Sequence, residues 1–315
     1  MTSLHEIVDP WLLVDDSDDL LVLRDQLVWL QKHLFHEYEP SQFLSFDDRL
    51  SRWLENVPDG PDRRALFRLI GHLFFVAKHQ FKALCRGAFN DVIVRWLLDE
   101  VEIGLDNPDL DQRLQGAVKT TWFCPVTDSM NINSFFKVNN LPGNDVRGDW
   151  RSLETLADPI AVRDHVASEG IERMVFLEDF VGSGGQMRST VIWARHALPD
   201  LPMLFCPLIC CPDGADTGRR LKRRFTIDFA PVLSLKSDLF LQRDPKVDEP
   251  ELFAEVRDLI ERQKHRLGDW YQEEFGHEET GAIFAMYSNC PDNTLPIIHE
   301  DNDDWRALFP RVSRE

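Results

Sequence analysis

Leucine residues near the start of the chain recur at steps of three and four residues, a spacing that predicts an amphipathic helix. They are Leu20, Leu23, Leu27, Leu30 and Leu34. Ser17 precedes them among aspartates and is predicted to cap this helix, because a serine hydroxyl accepts hydrogen bonds from the first backbone N–H groups. Similar apolar stripes in residues 66–77 and 89–97 predict further helices. Residues 1–117 are therefore predicted to form a helical N-terminal domain.

The pattern changes near Thr120 from helical stripes to a mixture of strands, loops and helices. Residues 120–138 combine aromatic, β-branched and turn-forming residues, which indicates a strand, a loop and a second extended piece. Residues 141–150 are rich in turn formers, and residues 153–168 have a helical pattern. This change marks the start of a second domain.

Two continuously apolar runs then enclose a glycine-rich turn and a helical stripe. The runs at 174–177 and 203–210 lack alternation, which is typical of strands buried on both faces of a parallel sheet. Strand, turn, helix and strand form a βαβ unit. Shorter pieces at 225–227 and 231–235 predict further strands. The fold class predicted for residues 118–240 is therefore α/β, with a Rossmann-like doubly wound parallel sheet.

Residues 241–315 are predicted to be a C-terminal extension packed on this core. A long helix is predicted over 248–275, followed by a strand-like run at 282–287, a turn-rich segment at 289–298 and an aromatic tail at 304–311.

Two groups of residues in the extension are of interest. Trp305 and Phe309 are predicted to pack the tail. Asn289, Asp292 and Asn293 are candidates for the rim of a ligand site, since turn residues beside an apolar strand often reach a ligand, although an ordinary turn is the simpler interpretation.

Composition and charge narrow the classes of function. The chain has 315 residues, of which 43% are hydrophobic and 28% charged, as is ordinary for a globular protein. Its formal net charge of −19 disfavours nonspecific binding of nucleic acid or anionic membranes over the whole surface. A basic run at 219–224 is a local candidate for binding a pyrophosphate, an acidic partner or an RNA backbone, although a solvated helix face is the commoner explanation. It contains Arg219, Arg220, Lys222, Arg223 and Arg224.

The sequence also bears on location and redox state. Its start lacks the basic and then apolar pattern of a secretory signal peptide, and no run approaches the roughly 18 apolar residues of a membrane-spanning helix. The six cysteines show no C-x-x-C spacing, and no H-E-x-x-H motif occurs. We therefore expect a cytoplasmic protein with reduced thiols, without membrane association or a metal site of its own.

The stretch VFLEDFVGSGGQ at residues 175–186 carries the strongest chemical signal. An apolar run ends in two acids, Glu178 and Asp179, and a glycine-rich loop and a helix follow. The loop consists of Gly182, Ser183, Gly184, Gly185 and Gln186. Glycines let backbone N–H groups approach an anion, and the positive end of the following helix favours phosphate. The acids repel a phosphate but suit the vicinal hydroxyls of a ribose.

This segment resembles the phosphoribosyl pyrophosphate (PRPP) loop of type I phosphoribosyltransferases. The resemblance implies that Glu178 and Asp179 bind the ribose 2′ and 3′ hydroxyls and that residues 182–186 hold the 5′-phosphate. Gln186 departs from the threonine or serine that is usual in that family. An amide can still donate to phosphate, so the departure bears on catalysis more than on binding.

The same resemblance implies a pyrophosphate site and a metal ion. Thr127, Asp128 and Ser129 follow the predicted first core strand, where such enzymes bind pyrophosphate through backbone amides. A turn that ends a strand explains these three residues equally well. Mg²⁺ is expected to bind together with PRPP.

A looser similarity covers residues 118–311 and includes CPVTDS, NCPDNTLPII and WRALFPR. These segments resemble a subgroup of phosphoribosyltransferase-like proteins that carry a C-terminal extension and occur in bacterial conflict and anti-phage systems, including some retrons. The resemblance implies an effector in antiviral defence, with protein or RNA components of such a system as possible partners.

The expected chemistry is glycosyl transfer or N-glycosidic cleavage at C1 of the ribose, but no nucleophile or base is apparent, so enzymatic activity stays open. One alternative is an S-adenosylmethionine-dependent methyltransferase, in which the loop surrounds the methionine part and Asp213 binds the ribose. Another is a noncatalytic nucleotide sensor or partner-binding module. A P-loop nucleotide site is excluded, because no glycine-lysine-serine/threonine follows the loop.

Overall fold

The computed structural model describes residues 4–13, 18–41, 43–142, 158–268 and 273–312. Two predicted features lie outside these residues: the helix cap at Ser17, and residues 143–157 of the predicted turn and helix.

Packing divides the chain into two compact units. One joins Met1–Gln80 to Lys236–Glu315, and the other is Phe81–Leu235. These limits differ from the predicted domain boundaries after residues 117 and 240, and that three-part division stays a prediction.

Helices dominate the described part of the first 80 residues. The elements are α1 (Leu4–Leu12), α2 (Asp18–His33), α3 (Phe46–Leu54), α4 (Pro61–Leu69) and β1 (Phe74–Val76). Leu20, Leu23 and Leu27 of α2 are buried, as the leucine stripe predicts. The helix predicted over 66–77 is wrong beyond Leu69, because β1 pairs with a strand far along the chain.

The second unit contains the βαβ region and the helices around it. Its helices are α5 (Lys78–Gly87, which begins just before the unit), α6 (Val94–Glu100), α7 (Leu110–Lys119), α8 (Ile132–Val138), α9 (Pro159–Ser168), α10 (Gly185–Ala197) and α11 (Pro212–Phe225). Its strands are β2 (Thr121–Pro125), β3 (Arg173–Val181), β4 (Met203–Cys210), β5 (Asp228–Phe229) and β6 (Leu233–Ser234). A π-helix at Ala88–Ile93 joins α5 to α6.

The strands of this unit form a parallel sheet. β2, β3, β4 and β5 pair in that order, and β6 pairs with the far end of β4. All of β2 and β4 is buried, and so is β3 apart from Arg173, which confirms burial on both faces. Val162 of α9 and Val191 of α10 join the same core. The predicted α/β class is thus confirmed: a Rossmann-like parallel sheet with a helical N-terminal part.

The strand bounds differ from the prediction in two places. β3 extends beyond the apolar run at 174–177 to Val181, because its last residues still pair with β4. The two acids of the motif therefore lie inside a strand. The strand predicted at 225–227 is wrong, because Phe225 ends α11 and β5 begins at Asp228.

The C-terminal part of the first unit completes the described fold. It contains α12 (Glu251–Gln263), β7 (Phe284–Met286), which pairs in parallel with β1, and α13 (Pro296–His299). The helix predicted over 248–275 is thus shorter than expected. Trp305 and Phe309 are fully buried, and Phe309 packs its ring against those of Phe35 and Tyr38. None of the described helices combines the length and the hydropathy that crossing a membrane requires.

Candidate functional site

The two acids of the motif are buried near the edge where the parallel strands end. Only 4% of Glu178 and 2% of Asp179 is exposed. β2 stops at Pro125, which is in register with Leu177, so the turn that follows β2 lies beside the acids. Residues 127–129 and 178–186 together are called the carboxyl edge.

Thr127 and Ser129 supply hydroxyl groups to both carboxylates. The Thr127 backbone N–H donates to Glu178 Oε2 (3.0 Å), and its hydroxyl donates to Oε1 (2.5 Å). The Ser129 hydroxyl lies 2.7 Å from Asp179 Oδ1 and 3.2 Å from Glu178 Oε1. The Phe180 N–H also donates to Asp179 Oδ1 (2.8 Å). Two of the three predicted pyrophosphate residues, Thr127 and Ser129, therefore contact the predicted ribose residues, whereas Asp128 is exposed.

Burial changes the protonation of this pair. It raises the pKa of Glu178 from 4.5 to about 8, and the neighbouring charge of Asp179 adds to the rise. The hydrogen bonds from Thr127 and Ser129 oppose it, because they favour the ionised form. Near neutral pH the pair therefore holds a proton that exposed carboxylates would have lost.

The glycine-rich loop turns the chain from β3 into α10. Gly184 precedes the helix with φ 90° and ψ 16°, a left-handed conformation that favours glycine. A Cβ atom at this position would also lie 2.9 Å from Met187 Cε and 3.0 Å from Thr217 Cβ. Two independent constraints thus require glycine at residue 184.

The loop is buried where it leaves β3 and exposed where it enters α10. Gly182 and Gly184 are buried, Ser183 is half-buried, and Gly185 and Gln186 are exposed at the start of α10. The first N–H groups of a helix have no partner within the helix, and the positive end of its dipole lies there. An anion would therefore meet this end of the loop.

Two residues of α11, Gly214 and Thr217, pack closely against the loop, and the sequence analysis predicted neither of them. A Cβ atom on Gly214 would lie 2.6 Å from the carbonyl oxygen of Gly182. The Thr217 hydroxyl donates to the carbonyl of Ser183 (3.1 Å). Glycine inside a helix is unfavourable unless a close contact needs it, so Gly214 in PDGADTG was the available signal.

Comparison with known families agrees with this arrangement. A family model described as PRTase-CE matches residues 50–311. The chain belongs to the PRTase-CE family. This is a phosphoribosyltransferase-like family with a C-terminal extension, so the family inferred from the motif loop is confirmed. Searches among curated proteins and among solved structures found no match.

The basic run of this PRTase-CE protein lies along α11, which leads away from the loop. Arg220 donates to Thr217 Oγ1 (3.2 Å), the same hydroxyl that holds Ser183. Arg219 pairs instead with Asp216, and Lys222 pairs with Asp228. Of the basic side chains at 219–224, Arg220 is therefore the one that these contacts connect to the loop.

The remaining candidate residues from the sequence include Asn289, Asn293 and Asp213. Asn289 exchanges hydrogen bonds with the backbone of Val312, and the Asn293 amide donates to Thr280 Oγ1. These contacts support the interpretation of 289–293 as a structured turn. Asp213 is exposed in the first turn of α11, after β4, where the methyltransferase alternative needs an acid. The family match favours the phosphoribosyltransferase interpretation instead.

Metal clusters are absent from the described ranges: no group of three or more His, Cys, Asp or Glu side chains there is arranged to hold a metal ion.

A cavity of about 420 Å³ lies at the opposite edge of the sheet, where β4 and β5 begin. Glu100, Arg195 and Asp228 line it, and these three residues are called the amino edge. Asp228 accepts from Lys222 Nζ and Trp96 Nε1, both at 3.0 Å. The Arg195 guanidinium donates to the backbone carbonyls of Leu198, Pro199, Leu201, Phe225 and Thr226.

Proposed function

We propose that this PRTase-CE protein binds PRPP or a related ribose 5-phosphate nucleotide at the carboxyl edge. In this proposal Glu178 and Asp179 accept hydrogen bonds from the ribose 2′ and 3′ hydroxyls, and the start of α10 holds the 5′-phosphate. The observation that carries the proposal is the contact of two buried carboxylates with two adjacent hydroxyl groups, beside a glycine-rich helix start.

The hydroxyl groups of Thr127 and Ser129 support the ribose part of the proposal. Their oxygens lie 2.6 Å apart, and each contacts a carboxylate. The 2′ and 3′ hydroxyls of a ribose form a similarly adjacent pair. Buried carboxylates need such donors, because an unsatisfied buried charge costs several kcal/mol. A ribose therefore binds by replacing the hydroxyls of Thr127 and Ser129, and the 127–129 turn moves aside.

The phosphate part of the proposal depends on the exposed end of the loop. Gln186 presents a backbone N–H group at the positive end of a 13-residue helix, and the Gly185 N–H makes a long hydrogen bond to the Ser183 hydroxyl (3.4 Å) that a phosphate would replace. The half-buried Ser183 adds a hydroxyl, and Arg220 adds a positive charge one hydroxyl group away. The two acids of the motif belong to β3, whereas the phosphate is held at the start of α10, so the loop between these two elements keeps the acids apart from the phosphate.

Mg²⁺ enters this proposal with the ligand. Mg²⁺ is usually held by substrate phosphates together with one or two carboxylates, and Glu178 and Asp179 are the buried carboxylates of this edge. The proposed reaction is glycosyl transfer from PRPP or cleavage of an N-glycosidic bond. Pyrophosphate would leave with the electrons of the C1–O bond, its charge offset by Mg²⁺, and the acceptor or water would then form the new bond to C1. Glu178 and Asp179 would hold the ribose while positive charge develops at C1. An effector role in anti-phage defence, with protein or RNA partners, is part of the proposal and rests on the resemblance alone.

Titration calorimetry with PRPP and Mg²⁺ tests the binding proposal. Wild-type protein is expected to bind, and Asp179→Asn is expected to lose about 10- to 100-fold in affinity, since a hydrogen bond to a charged group contributes about 1.5–3 kcal/mol. Asp228→Asn, an acid of the amino edge, is the matched control and is expected to bind like wild type. Equal loss in both variants contradicts the assignment to the carboxyl edge.

The same titration separates the other interpretations. Binding of PRPP or AMP without any turnover favours the noncatalytic sensor, whereas binding of S-adenosylmethionine that Asp213→Asn removes favours the methyltransferase. Release of pyrophosphate from PRPP, or of free base from nucleotides or NAD, identifies the enzyme. Absence of binding to all of these ligands refutes the proposed function.

A further inference from the structure

Helix α2 has a second apolar face that the fold of this chain leaves exposed. Leu20, Leu23 and Leu27 face the core. The outward side chains are Leu21, Val22, Val28 and Trp29, which are 39%, 52%, 44% and 56% exposed. A surface helix ordinarily has one apolar stripe, and contiguous exposed apolar residues mark interaction sites.

On this outer face of α2, acidic side chains lie toward the start of the helix and a basic side chain lies toward its end. Asp18, Asp25 and Lys32 follow the same steps of three and four residues as the outer apolar side chains, so they lie on the same face. All three are exposed. The acid Asp18 is at the start of the helix, and the base Lys32 is about four turns further on. The outer face, defined as Asp18, Leu21, Val22, Asp25, Val28, Trp29 and Lys32, therefore has an acidic start and a basic end.

This order of residues is self-complementary in an antiparallel arrangement. We propose that the outer face of α2 binds the outer face of α2 in a second copy of this chain, across a two-fold axis at Asp25. Each Asp18 then meets the partner's Lys32. Leu21 meets Trp29, and Val22 meets Val28. The same patch serves on both subunits, as a two-fold interface requires.

The two Asp25 side chains face each other on the two-fold axis, where their like charges repel. Arg24 partly offsets the charge of Asp25, with its Nε and one Nη atom 3.1 and 2.9 Å from Asp25 Oδ1, while its other Nη atom lies 2.7 Å from Asp9 Oδ1. Two ion-paired aspartates repel each other less than two free ones. A parallel pairing would instead place Asp18 against Asp18 and Lys32 against Lys32, so charge selects the antiparallel one.

The expected dimer is weak. One helix pair buries less than the roughly 1,200 Å² that stable interfaces need, so association should depend on protein concentration. Sedimentation velocity over a concentration series measures it. Trp29→Gln is expected to weaken association at least about 30-fold, because the dimer loses both aromatic contacts between Trp29 and Leu21. Val247→Ser, at an exposed apolar residue outside α2, is the matched control and should leave association unchanged.

Charge exchange tests the antiparallel geometry. Asp18→Lys alone, or Lys32→Asp alone, creates two like-charge contacts in the dimer and is expected to weaken association about tenfold. The double variant Asp18→Lys/Lys32→Asp restores the opposite charges in both contacts and should recover wild-type association. A double variant that associates no better than the single variants overturns the pairing.

Cross-linking tests the position of the axis. Asp25→Cys places two thiols opposite each other, and mild oxidation should give a covalent dimer. The six native cysteines are all buried, so they give little background. Glu255→Cys, on the exposed side of α12, is the control and should cross-link far more slowly. A wild-type protein that stays monomeric at every concentration, together with equal cross-linking rates for the two variants, overturns the proposal.

Discussion

The two ends of one parallel sheet each carry a pair of carboxylates, but in different surroundings. At the carboxyl edge, Glu178 and Asp179 are buried and receive hydrogen bonds from neutral hydroxyl and backbone groups. At the amino edge, Glu100 is exposed, and Asp228 is partly exposed and paired with Lys222. Burying two adjacent acids is costly, so the carboxyl edge maintains an unfavourable arrangement.

The contrast shows that an open cavity and a reactive site need not coincide. The cavity of about 420 Å³ lies at the amino edge. Its arginine, Arg195, already donates hydrogen bonds to backbone carbonyls, and one of its acids, Asp228, is already paired with Lys222. The carboxyl edge has glycines, hydroxyls and a helix start. Ligands of open α/β sheets bind outside the carboxyl ends of the strands, which agrees with this division.

The largest expected effect concerns the protonation of Glu178. Its pKa is about 8 in the folded chain against 4.5 ordinarily, so the folded state holds the proton more tightly than the unfolded state. The resulting stability is complete below about pH 4.5 and is lost as pH rises through 8. Glu178→Gln keeps the shape of the side chain without its charge, and its free energy of unfolding at pH 9 should exceed that of wild type by up to about 5 kcal/mol.

Thermal unfolding between pH 5 and pH 9 measures this difference, and the stability of Glu178→Gln should depend less on pH than that of wild type. Glu100 is the comparison at the amino edge, because partial desolvation of its carboxyl group and the charge of Asp228 also raise its pKa. Glu100 is exposed, so Glu100→Gln should change the pH profile little. Identical pH profiles for Glu178→Gln and wild type would contradict the buried acid pair.

The same substitution at two helical glycines should have opposite effects. Gly214→Ala forces a Cβ atom to 2.6 Å from the carbonyl of Gly182 and is expected to cost about 1–3 kcal/mol and to displace the loop. Gly116→Ala in α7 has no atom within 4 Å of the added carbon and should stabilise by about 0.4–1 kcal/mol. Chemical denaturation measures both, and PRPP titration of Gly214→Ala should show weaker binding.

Arg195 should be important for stability but not for ligand binding. Arg195→Met removes the donors to five backbone carbonyls, and we expect a loss of about 1–3 kcal/mol. Under conditions where the variant is folded, its affinity for PRPP should equal that of wild type. A selective loss of affinity would instead make the amino edge the binding site.

Arg220 gives the smallest and most selective effect. Arg220→Met should leave the unfolding midpoint unchanged, because the side chain is exposed. It should weaken phosphate-containing ligands about three- to tenfold, as for a solvent-screened charge near an anion. Arg223→Met, on the same helix, is the control and should bind like wild type. Equal affinities for the two variants would remove Arg220 from the phosphate site.

The sequence predicted the two central strands of the sheet because their signals were local. Continuous apolar runs predicted β3 and β4, and the leucine stripe predicted α2. Errors occurred where distant residues decide the structure: β1 forms a strand only because β7 lies beside it. The aromatic tail likewise packs against Phe35 and Tyr38, far away along the chain.

For the candidate site, the amino-acid sequence by itself determined the chemistry: two acids, a glycine-rich loop and a helix start in immediate succession. Only the tertiary structure decided how these groups are used. It laid the 127–129 turn over the acids and set Gly214 and Thr217 against the loop. The reason is that burial, and with it the pKa of Glu178, depends on which strands and helices pack together, and the spacing of residues along one segment does not record that packing.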